Sequence, residues 1–578
     1  MARKVRSIIV GVVALFLFLG FFANQRFYWF HRHPIISGRV LRSPPVILHP
    51  EANTANLSVN YQDQDQEREE EETARWSSRN ITTVADSVFL DSVLLPAWEI
   101  LVIVSPPGSV AGQNYTCLFP SNDTSPARTA GTLSSPDRKT FTCDFPERLR
   151  RRIPFLQPIL TPRPESPPDR RDKESELELL RWNFLVYNSF TASDVVLFVK
   201  GLNHRQGINR APNKFKCVFG EDVDNGVRTA VTSSAQEVFR CQRPELTAFN
   251  VSPYEDEAGP MKVTIEIPER RLAVPSVAYY TPPLRIAVAQ QKQCLCACTM
   301  VYNAAKFLKE WVMYHSAIGI EKFVIYDNGS DDDLEEVVGK LVKQGYNLVK
   351  LIWVWPKAQE AGFSHCAINF NDSCSWMMFT DVDEFVYSPS WLDSNASRQM
   401  LKSLLPNRKM VGQVMISCRE FGPSNQRSHP AMGVTQGYNC RRRGDNRHKS
   451  IVRLDAIDES LLNVVHHFKL KEGYRAKKLR TNVAVVNHYK FQAWPEFETK
   501  FRRRVSTYVR DWMEERNRSS KDRTPGLGNE PVQPEGWPGK FCQVYDNNLK
   551  DLTARWFAVE SPSSSSSSGY HMAWQRLI

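Results

Sequence analysis

The chain has 578 residues, which excludes one ordinary domain and predicts two or three. Its hydrophobic fraction of 42% allows large cores. The net charge of +11 predicts an acidic partner, but nucleic acid is disfavoured because the N-terminus predicts a route away from the nucleus and cytosol.

The N-terminus predicts a membrane anchor. An uninterrupted apolar run extends from Ile8 to Ala23, with basic residues before it and aromatic residues after it. The run is slightly short against the roughly 20 residues of a spanning helix, but the aromatic residues could lie at the far interface. The basic flank predicts a cytosolic tail at 1–7, a signal-anchor helix at 8–30 and a lumenal body. A cleaved signal peptide is the alternative, but no convincing small-residue cleavage site follows the run.

Residues 31–82 are predicted to form a stem. They lack apolar periodicity and contain the charged run Glu67–Glu72, which should stay solvated. A lumenal body is compatible with the even number of cysteines, 12, and with several N-glycosylation sequons. These sequons begin at Asn56, Asn80, Asn114, Asn122, Asn250, Asn328, Asn371, Asn395 and Asn517.

Residues 83–278 are predicted to form a β-sandwich-like domain with an internal repeat. Short apolar runs at Glu99–Val104 and Val195–Val199 are each followed by two cysteine-bearing strands. The cysteines of each copy lie 26 and 24 positions apart, which predicts the disulfides Cys117–Cys143 and Cys217–Cys241. The Pro- and Arg-rich segment 154–171 between the copies is predicted to be an exposed loop. Such a domain could bind a polysaccharide, but the sequence slightly favours a passive spacer.

From residue 284 the pattern changes to alternating strands and helices. Strands are predicted at Arg285–Val288, Cys294–Met300, Lys322–Tyr326 and Leu348–Trp355, with helices at Ala304–Ile318 and Leu334–Lys343. This alternation predicts a parallel α/β sheet. The alternating cysteines at 294, 296 and 298 share one strand face, which predicts buried thiols or one distant disulfide and disfavours a tetrahedral zinc site.

A buried strand at Trp376–Thr380 runs into the acidic motif Asp381-Val382-Asp383-Glu384. Ligands of open α/β sheets bind outside the carboxyl ends of the strands. Two aspartates two positions apart on an extended backbone point the same way, so Asp381 and Asp383 can share one divalent cation. Oxygen ligands suit Mg²⁺ or Mn²⁺, which often also hold a diphosphate.

Further strands are predicted at Val411–Ser417, Ser450–Leu454 and Val483–Val486, the last leading into His488. An amphipathic helix is predicted at Trp494–Trp512, interrupted by three arginines at 502–504. A basic run around Lys449, including Arg441–Arg443 and Arg447, could contact a diphosphate or an acidic acceptor, although a solvated loop is the simpler interpretation. Residues 531–578 are predicted to be a loop-rich extension with a disordered poly-Ser tail.

Four blocks of the chain, in this order, resemble glycosyltransferase family 92 over roughly residues 284–520. They are Tyr302–Trp311, Phe323–Asp331, Phe379–Phe385 and Asn487–Tyr489. The layout is similar to the plant β-1,4-galactan synthases of pectin. The resemblance implies a GT-A catalytic domain at 284–530 after a carbohydrate-binding-like β-domain. It also implies a UDP-galactose donor, a divalent metal, preferably Mn²⁺, and inversion at the anomeric carbon in the Golgi lumen.

The resemblance and the chemistry together assign candidate site residues. The metal ligands are expected to be Asp381, Asp383 and His488, because a neutral imidazole can complete an oxygen shell. For His488, a hydrogen-bonded histidine at a strand end is an equally good interpretation. The nucleotide-sugar residues are expected to be Tyr302, Asn303, Asp327, Asn328, Ser330 and Asp381.

The catalytic base is expected among two glutamates, because inversion needs a carboxylate to take the proton of the acceptor hydroxyl. Glu420 is one candidate, although a structural loop carboxylate is the simpler interpretation. Glu384 is the other, or it could simply support the neighbouring aspartates.

The expected partners are UDP-galactose, a glycan acceptor of acidic character, the membrane and a second copy in a homodimer. Two other functions stay open from the sequence. The chain could be a lumenal carbohydrate-binding or scaffold protein with an inactive transferase fold. It could also be a phosphohydrolase that uses the same acidic motif.

Overall fold

The computed structural model of the protein describes most of the chain after residue 88, and these residues belong to one compact unit. The described residues are 89–105, 115–120, 122–134, 136–151, 153–162, 177–203, 209–245, 260–282, 291–464, 466–500, 533–560 and 570–576. Within these ranges no helix is long and apolar enough to cross a membrane. The predicted anchor at 8–30, the stem and the strand at Arg285–Val288 lie outside the described residues.

The first part of the described chain is a sheet of seven strands in the order β6-β3-β4-β5-β2-β1-β7. These strands are β1 (Phe89–Leu94), β2 (Glu99–Ser105), β3 (Tyr115–Leu118), β4 (Thr124–Leu133), β5 (Arg138–Asp144), β6 (Ile159–Pro162) and β7 (Leu180–Arg181). The early half of β4 pairs with β3 and the later half with β5, with a register shift between Thr129 and Gly131. β6 lies within the segment 154–171, so the prediction of a continuous loop there was wrong for residues 159–162.

The second sheet repeats the same topology. Its strands are β8 (Leu185–Thr191), β9 (Val195–Lys200), β10 (Lys216–Phe219), β11 (Val227–Ala235), β12 (Val238–Cys241), β13 (Met261–Ile267), β14 (Leu272–Ala273) and β15 (Tyr279–Tyr280). Their order is β14-β13-β10-β11-β12-β9-β8, with β15 beside β13. Strands β8 to β13 therefore pair with one another as β1 to β6 do.

A disulfide joins equivalent strands in both copies, and both are the pairs predicted from the cysteine spacing. Cys117–Cys143 links β3 to β5, and Cys217–Cys241 links β10 to β12. The Cα atoms of the first pair are 6.4 Å apart, although β4 lies between the two strands. In a flat sheet that separation would be about 9–10 Å, so β4 must turn the sheet over into two facing layers.

The described chain from residue 291 onward is built on a ten-stranded mixed sheet. Its strands are β16 (Gln293–Val301), β17 (Lys322–Asp327), β18 (Leu348–Ile352), β19 (Cys374–Phe379), β20 (Glu384–Tyr387), β21 (Val411–Phe421), β22 (Cys440–Arg453), β25 (Arg475–Lys478), β26 (Val485–His488) and β27 (Val544–Tyr545). The order is β18-β17-β16-β19-β22-β21-β26-β20, with β25 beside β21 and β27 beside β22. Strands β16 to β19 are parallel to one another, and β22 runs antiparallel to β19.

Helices connect the parallel strands and cover the sheet. They are α1 (Ala305–Ile318), α2 (Leu334–Lys343) and α3 (Gln359–Asn369). Side chains of β16 and β17 alternate between two cores, so α1 and α2 pack on one face and α3 on the other. The sequence did not predict α3, because residues 360–367 are all buried and the segment has no polar face for a helical pattern to show.

Elements after the main sheet complete the fold. They are α4 (Val434–Gly437), α5 (Asn548–Phe557), the pair β23 (Asn463–Val464) and β24 (His467–Phe468), and the pair β28 (Ala558–Glu560) and β29 (Tyr570–Met572). The prediction of a loop-rich extension was therefore wrong for residues 548–560. Residues 494–500 are helical, as predicted, while the rest of that helix, Arg502–Arg504 and the poly-Ser tail lie outside the described residues.

Two of the three alternating cysteines form disulfides, where the sequence predicted at most one. Cys296 pairs with Cys374 of β19, and Cys298 pairs with Cys366 of α3. Cys294 is free and half-buried. A further disulfide, Cys440–Cys542, links β22 to the segment before β27. The additional pairing arises because α3, absent from the prediction, brings Cys366 onto the same face as Cys298.

The β-sandwiches and the ten-stranded sheet share one hydrophobic core. Leu101 of the first sandwich and Tyr187 and Phe198 of the second are buried in the same cluster as Trp353, which follows β18. A Cβ added to Gly131 would meet the Ile352 side chain at 2.7 Å, so β4 packs directly against β18. The β-sandwiches are therefore packed on the ten-stranded sheet, and their role as a spacer or a glycan-binding domain stays a prediction.

Candidate active site

Three functional side chains form a row across neighbouring strands. His488, the last residue of β26, is paired with Glu384 of β20 on one side and Glu420 of β21 on the other. Directly opposed residues of adjacent strands point to the same face and lie about 5 Å apart. The sheet therefore brings together residues that are separated by up to 104 positions (488 − 384) in the sequence.

Asp383 completes a group that could hold a metal ion. Ligand atoms of Asp383, Glu384 and His488 all lie within 4.8 Å of one another, and this is the only such group in the part of the chain that the structure describes. The Nε2 atom of His488 lies 3.7 Å from Oδ2 of Asp383, and its Nδ1 atom lies 3.4 Å from Oε1 of Glu384. Burial alone would raise the pKa of Asp383, but Lys500 and His488 outweigh it and lower that pKa.

Asp381 has a different environment from the one predicted. It lies outside the group of three, and its Oδ2 atom lies 3.1 Å from the Lys449 ammonium. Lys449 also lies 2.8 Å from Oε1 of Glu384, so this buried lysine bridges the two carboxylates. Asp381 is thus a partner of a lysine, and Glu384, which the sequence did not predict as a metal ligand, lies in the group of three.

His466 lies beside the same lysine. Its Nε2 atom accepts a hydrogen bond of 2.5 Å from the Lys449 ammonium. Burial and then the positive charge of Lys449 lower the pKa of His466 to about 3, so the imidazole is neutral. His466 lies 3.7 Å from Asp381, but this neutral ring forms no ion pair with it. Of the two, Lys449 is the partner that carries a positive charge.

The group of Asp383, Glu384 and His488 fits a divalent transition metal. Its donors are two carboxylates and one imidazole, and one ligand atom of each lies within 4.8 Å of the others at the carboxyl end of β19. Carboxylates suit Mg²⁺ and Mn²⁺, whereas imidazole suits transition metals, so the mixed set favours Mn²⁺. The low pKa of Asp383 keeps that ligand ionised.

The predicted nucleotide residues lie at the carboxyl ends of β16 and β17, where Val301 is paired with Asp327. Oδ1 of Asp327 accepts a hydrogen bond of 2.9 Å from the Ser330 amide, and its Oδ2 atom lies 3.5 Å from the Lys350 ammonium. Asp327 is buried and held from both sides. It therefore has a single, fixed orientation at the edge of the sheet.

Two of the predicted nucleotide residues hold loops in place. Asn303 has a left-handed backbone (φ 48°), and its side chain exchanges two hydrogen bonds with Asp331, at 2.5 and 2.9 Å. The Asn328 amide donates to the carbonyls of Trp353 and Trp355 at 2.5 and 3.2 Å. These bonds join the ends of β16, β17 and β18, while Tyr302 stays half-buried beside them.

Glu420 is held by three donors. Arg442 and Asn446 donate to its Oε2 atom at 3.0 and 3.1 Å, and Lys490 donates to Oε1 at 2.5 Å. Burial raises the pKa of Glu420, but Lys490 and the other contacts lower it overall. A lowered pKa weakens a general base. Glu384 is also poorly placed for that role, because it is fully buried and engaged by the Asp381 amide and by Lys449.

The basic run at 441–449 is a strand, where the simpler interpretation was a solvated loop. It forms most of β22, and Lys449 is buried between Asp381 and Glu384 instead of facing a diphosphate. Sequence reasoning missed Lys500, whose ammonium lies 2.7 Å from Oδ2 of Asp383. No local signal marks Lys500, because its contact depends on a partner 117 positions away.

Comparison with known proteins gives one family. The profile described as Glycosyltransferase family 92 matches residues 291–524. A family 92 protein of Oryza sativa subsp. japonica is 42% identical over 397 residues, covering 65% of this chain and 67% of the relative. One of Arabidopsis thaliana is 42% identical over 418 residues, covering 70% of each chain. One of Ricinus communis is 42% identical over 416 residues, covering 69% of this chain and 70% of the relative.

Solved structures show weaker similarity. A mannosyltransferase from Pyrobaculum calidifontis in complex with GDP-Man and Mn²⁺ is 13% identical, with a TM-score of 0.24, covering 40% of this chain and 67% of that chain. The S. aureus TarS 1–349 structure is 14% identical, with a TM-score of 0.21, and the match covers 38% of this chain and 65% of that chain. TM-scores this low support no conclusion about the ligands of this chain.

Proposed function

The chain belongs to glycosyltransferase family 92, and from this premise we propose that it transfers galactose from UDP-galactose to a cell-wall glycan. The proposed acceptor is the β-1,4-galactan of pectin. The observation that carries metal-dependent transfer is the proximity of Asp383, Glu384 and His488 beside the ends of the parallel strands, and the donor and acceptor are proposed from the resemblance to the galactan synthases. We propose that the enzyme works as a GT-A transferase in the Golgi lumen, anchored by residues 8–30.

In this proposal Asp383, Glu384 and His488 hold a Mn²⁺ ion, which supplies positive charge next to the leaving diphosphate. Lys449 keeps Asp381 and Glu384 in place, because its ammonium lies within 3.1 Å of both carboxylates. The anchored loops around Asn303 and Asp327 receive the nucleotide with little reorganisation, since their polar groups already bond to one another.

The galactan itself is neutral, so the acidic part of the acceptor is proposed to be the pectic chain that carries it, because exposed cations lie along β22. Arg443 and Arg447 are exposed, whereas Arg441 donates to Asp546 at 2.6 Å and Arg442 to Glu420 at 3.0 Å. The two paired arginines stabilise the strand. The two exposed ones are therefore the candidates for meeting a polyanionic glycan.

A donor screen tests this function. We expect the purified full-length protein, supplied with Mn²⁺ and a galactan oligosaccharide, to transfer from UDP-galactose faster than from UDP-glucose, UDP-arabinose or GDP-mannose. Chelation by EDTA should abolish the transfer, and Mn²⁺ should restore it. Transfer that is unaffected by EDTA would contradict metal dependence. Glycan binding without turnover of any donor would instead identify a binding or scaffold protein.

A further inference from the structure

Two lysines contact the acidic group, and they differ in how firmly they are held. Lys449 is 9% exposed and touches two carboxylates, those of Asp381 and Glu384. Lys500 is 41% exposed and touches one carboxylate oxygen, Oδ2 of Asp383, at 2.7 Å. Because water can reach Lys500, its ammonium can leave Asp383 once another cation takes its place, whereas the buried Lys449 would be left without water or a second partner.

Lys500 occupies the side of Asp383 that the metal needs. The Oδ2 atom that Lys500 contacts is also the oxygen that faces Nε2 of His488. A divalent ion coordinated by this oxygen would lie about 2.0–2.2 Å from it. An ammonium at 2.7 Å from the same oxygen would then be within a few ångströms of a second positive centre, which is repulsive even with the partial screening that water gives Lys500.

We propose that Lys500 is an exchangeable cation of this site, which neutralises Asp383 until a metal binds and then turns to the diphosphate of the donor. The inference rests on the proposed function and adds a residue to it. The metal displaces the ammonium from Asp383. The long and partly exposed side chain then has a new anion within reach, because a donor diphosphate bound to the metal brings its negative charge to the same place.

The position of Lys500 supports this exchange. Its ammonium lies over the Phe307 ring, 5.4 Å from the centroid. Phe307 is buried in α1, so the aromatic face offers the lysine a fixed resting surface that does not depend on Asp383. The ring therefore gives the ammonium a second favourable contact beside Asp383, which remains when the carboxylate is taken by a metal.

Metal binding without nucleotide is the first test. Mn²⁺ is titrated into the full-length protein by calorimetry, with Lys500→Met as the variant. Because the competing cation is lost, Mn²⁺ should bind about threefold to fivefold more tightly, the size that a partly exposed ion pair supports. Lys306→Met is the matched control, since Lys306 also lies over Phe307, 5.6 Å from its centroid, but pairs with Glu496. Its Mn²⁺ affinity should equal that of the wild type.

UDP binding at saturating Mn²⁺ is the second test, and the effect should have the opposite sign. Lys500→Met should weaken UDP binding about tenfold, equivalent to about 1.4 kcal/mol, while Lys500→Arg should retain most of it. A variant that loses affinity for both Mn²⁺ and UDP would show a merely structural role and overturn the inference, as would unchanged affinities. A wild-type protein that binds no Mn²⁺ would overturn the metal-dependent function itself, which is a distinguishable result.

Discussion

Asp381 and Asp383 are two positions apart, yet the fold gives them different partners. Asp381 faces the buried Lys449, whereas Asp383 faces His488 and the partly exposed Lys500. Lys449 holds Asp381 at 3.1 Å and Glu384 at 2.8 Å, whereas the cation beside Asp383 is partly exposed and can be displaced by a metal. The two aspartates therefore differ in the cation that holds them, and a metal role for Asp381 stays a prediction.

Replacement of the candidate ligand tests this distinction. We expect Asp383→Ala to abolish transfer while the protein still folds, since the side chain lies beyond the apolar strand and its removal opens no hydrophobic cavity. Transfer rate, Mn²⁺ affinity and melting temperature are the measurements. The exposed Asp372 provides the control, and Asp372→Ala should keep wild-type transfer. Wild-type turnover by Asp383→Ala in saturating Mn²⁺ would contradict the assignment.

Buried histidines make the protein sensitive to acid. Burial lowers the pKa of His315 and of His365 to about 3, against about 6.5 in an unfolded chain. The unfolded state binds the extra proton first as the pH falls. The stability contributed by each neutral histidine is therefore present above pH 6.5 and is lost as the pH falls toward 3.

The free energy of unfolding should fall by about 2 kcal/mol per buried histidine between pH 8 and pH 5. His315→Phe should reduce this dependence, because the ring packs against Phe385 and the Nε2 atom of His315 is buried without a hydrogen-bond partner. Melting temperatures of wild type and variant across this pH range are the measurement. Parallel curves for the two proteins would show that His315 does not carry the effect.

At the scale of an element, β22 combines structural and functional roles. Its buried end carries Lys449 into the acidic group, and its exposed part carries Arg443 and Arg447. The strand extends to Cys440 because β21 pairs with it over most of its length and β27 pairs with its beginning. Local sequence could not show this, since charged residues disfavour a strand when no partner is considered.

The exposed arginines of β22 should govern recognition of an acidic acceptor. Charge attraction at exposed positions is screened over about 8 Å at physiological salt, so KM for an acidic glycan should rise with salt while kcat changes little. The double variant Arg443→Gln with Arg447→Gln should remove this salt response, and a neutral acceptor should show little response in either protein. Arg475→Gln with Lys477→Gln on the exposed β25 is the control. An unchanged salt response in the β22 variant would exclude these arginines.

At the scale of the whole molecule, the sandwiches and the catalytic sheet are packed as one body. Phe198 of the second sandwich lies 5.6 Å from Trp353 and 5.5 Å from His365, measured between ring centroids. The Gln236 amide also donates to the Asn463 carbonyl at 2.8 Å. Neither the sandwiches nor the ten-stranded sheet can bury the side chains of this interface alone. We therefore expect the two parts to unfold together.

Calorimetry should therefore show one unfolding transition. Phe198→Ala should destabilise the whole protein by about 3–5 kcal/mol, because it removes a buried aromatic side chain from the shared core. Leu177→Ala, at a partly exposed position before β7, should leave the melting temperature nearly unchanged. Two separate transitions, with only the earlier one shifted by Phe198→Ala, would indicate independent domains.

The sequence by itself determined the local elements and the motif. Helical periodicity located α1 and α2, and the predicted bounds of α2 equal those in the structure. The repeated cysteine spacing predicted both sandwich disulfides. These signals are local, because periodicity and turn chemistry act over a few residues. The tertiary structure decided the rest: that Glu384 joins Asp383 and His488, that Asp381 faces Lys449, and that Lys500 reaches the site. Each of the last two contacts joins residues more than sixty positions apart, and strand pairing and helix packing, which no local pattern encodes, bring them together.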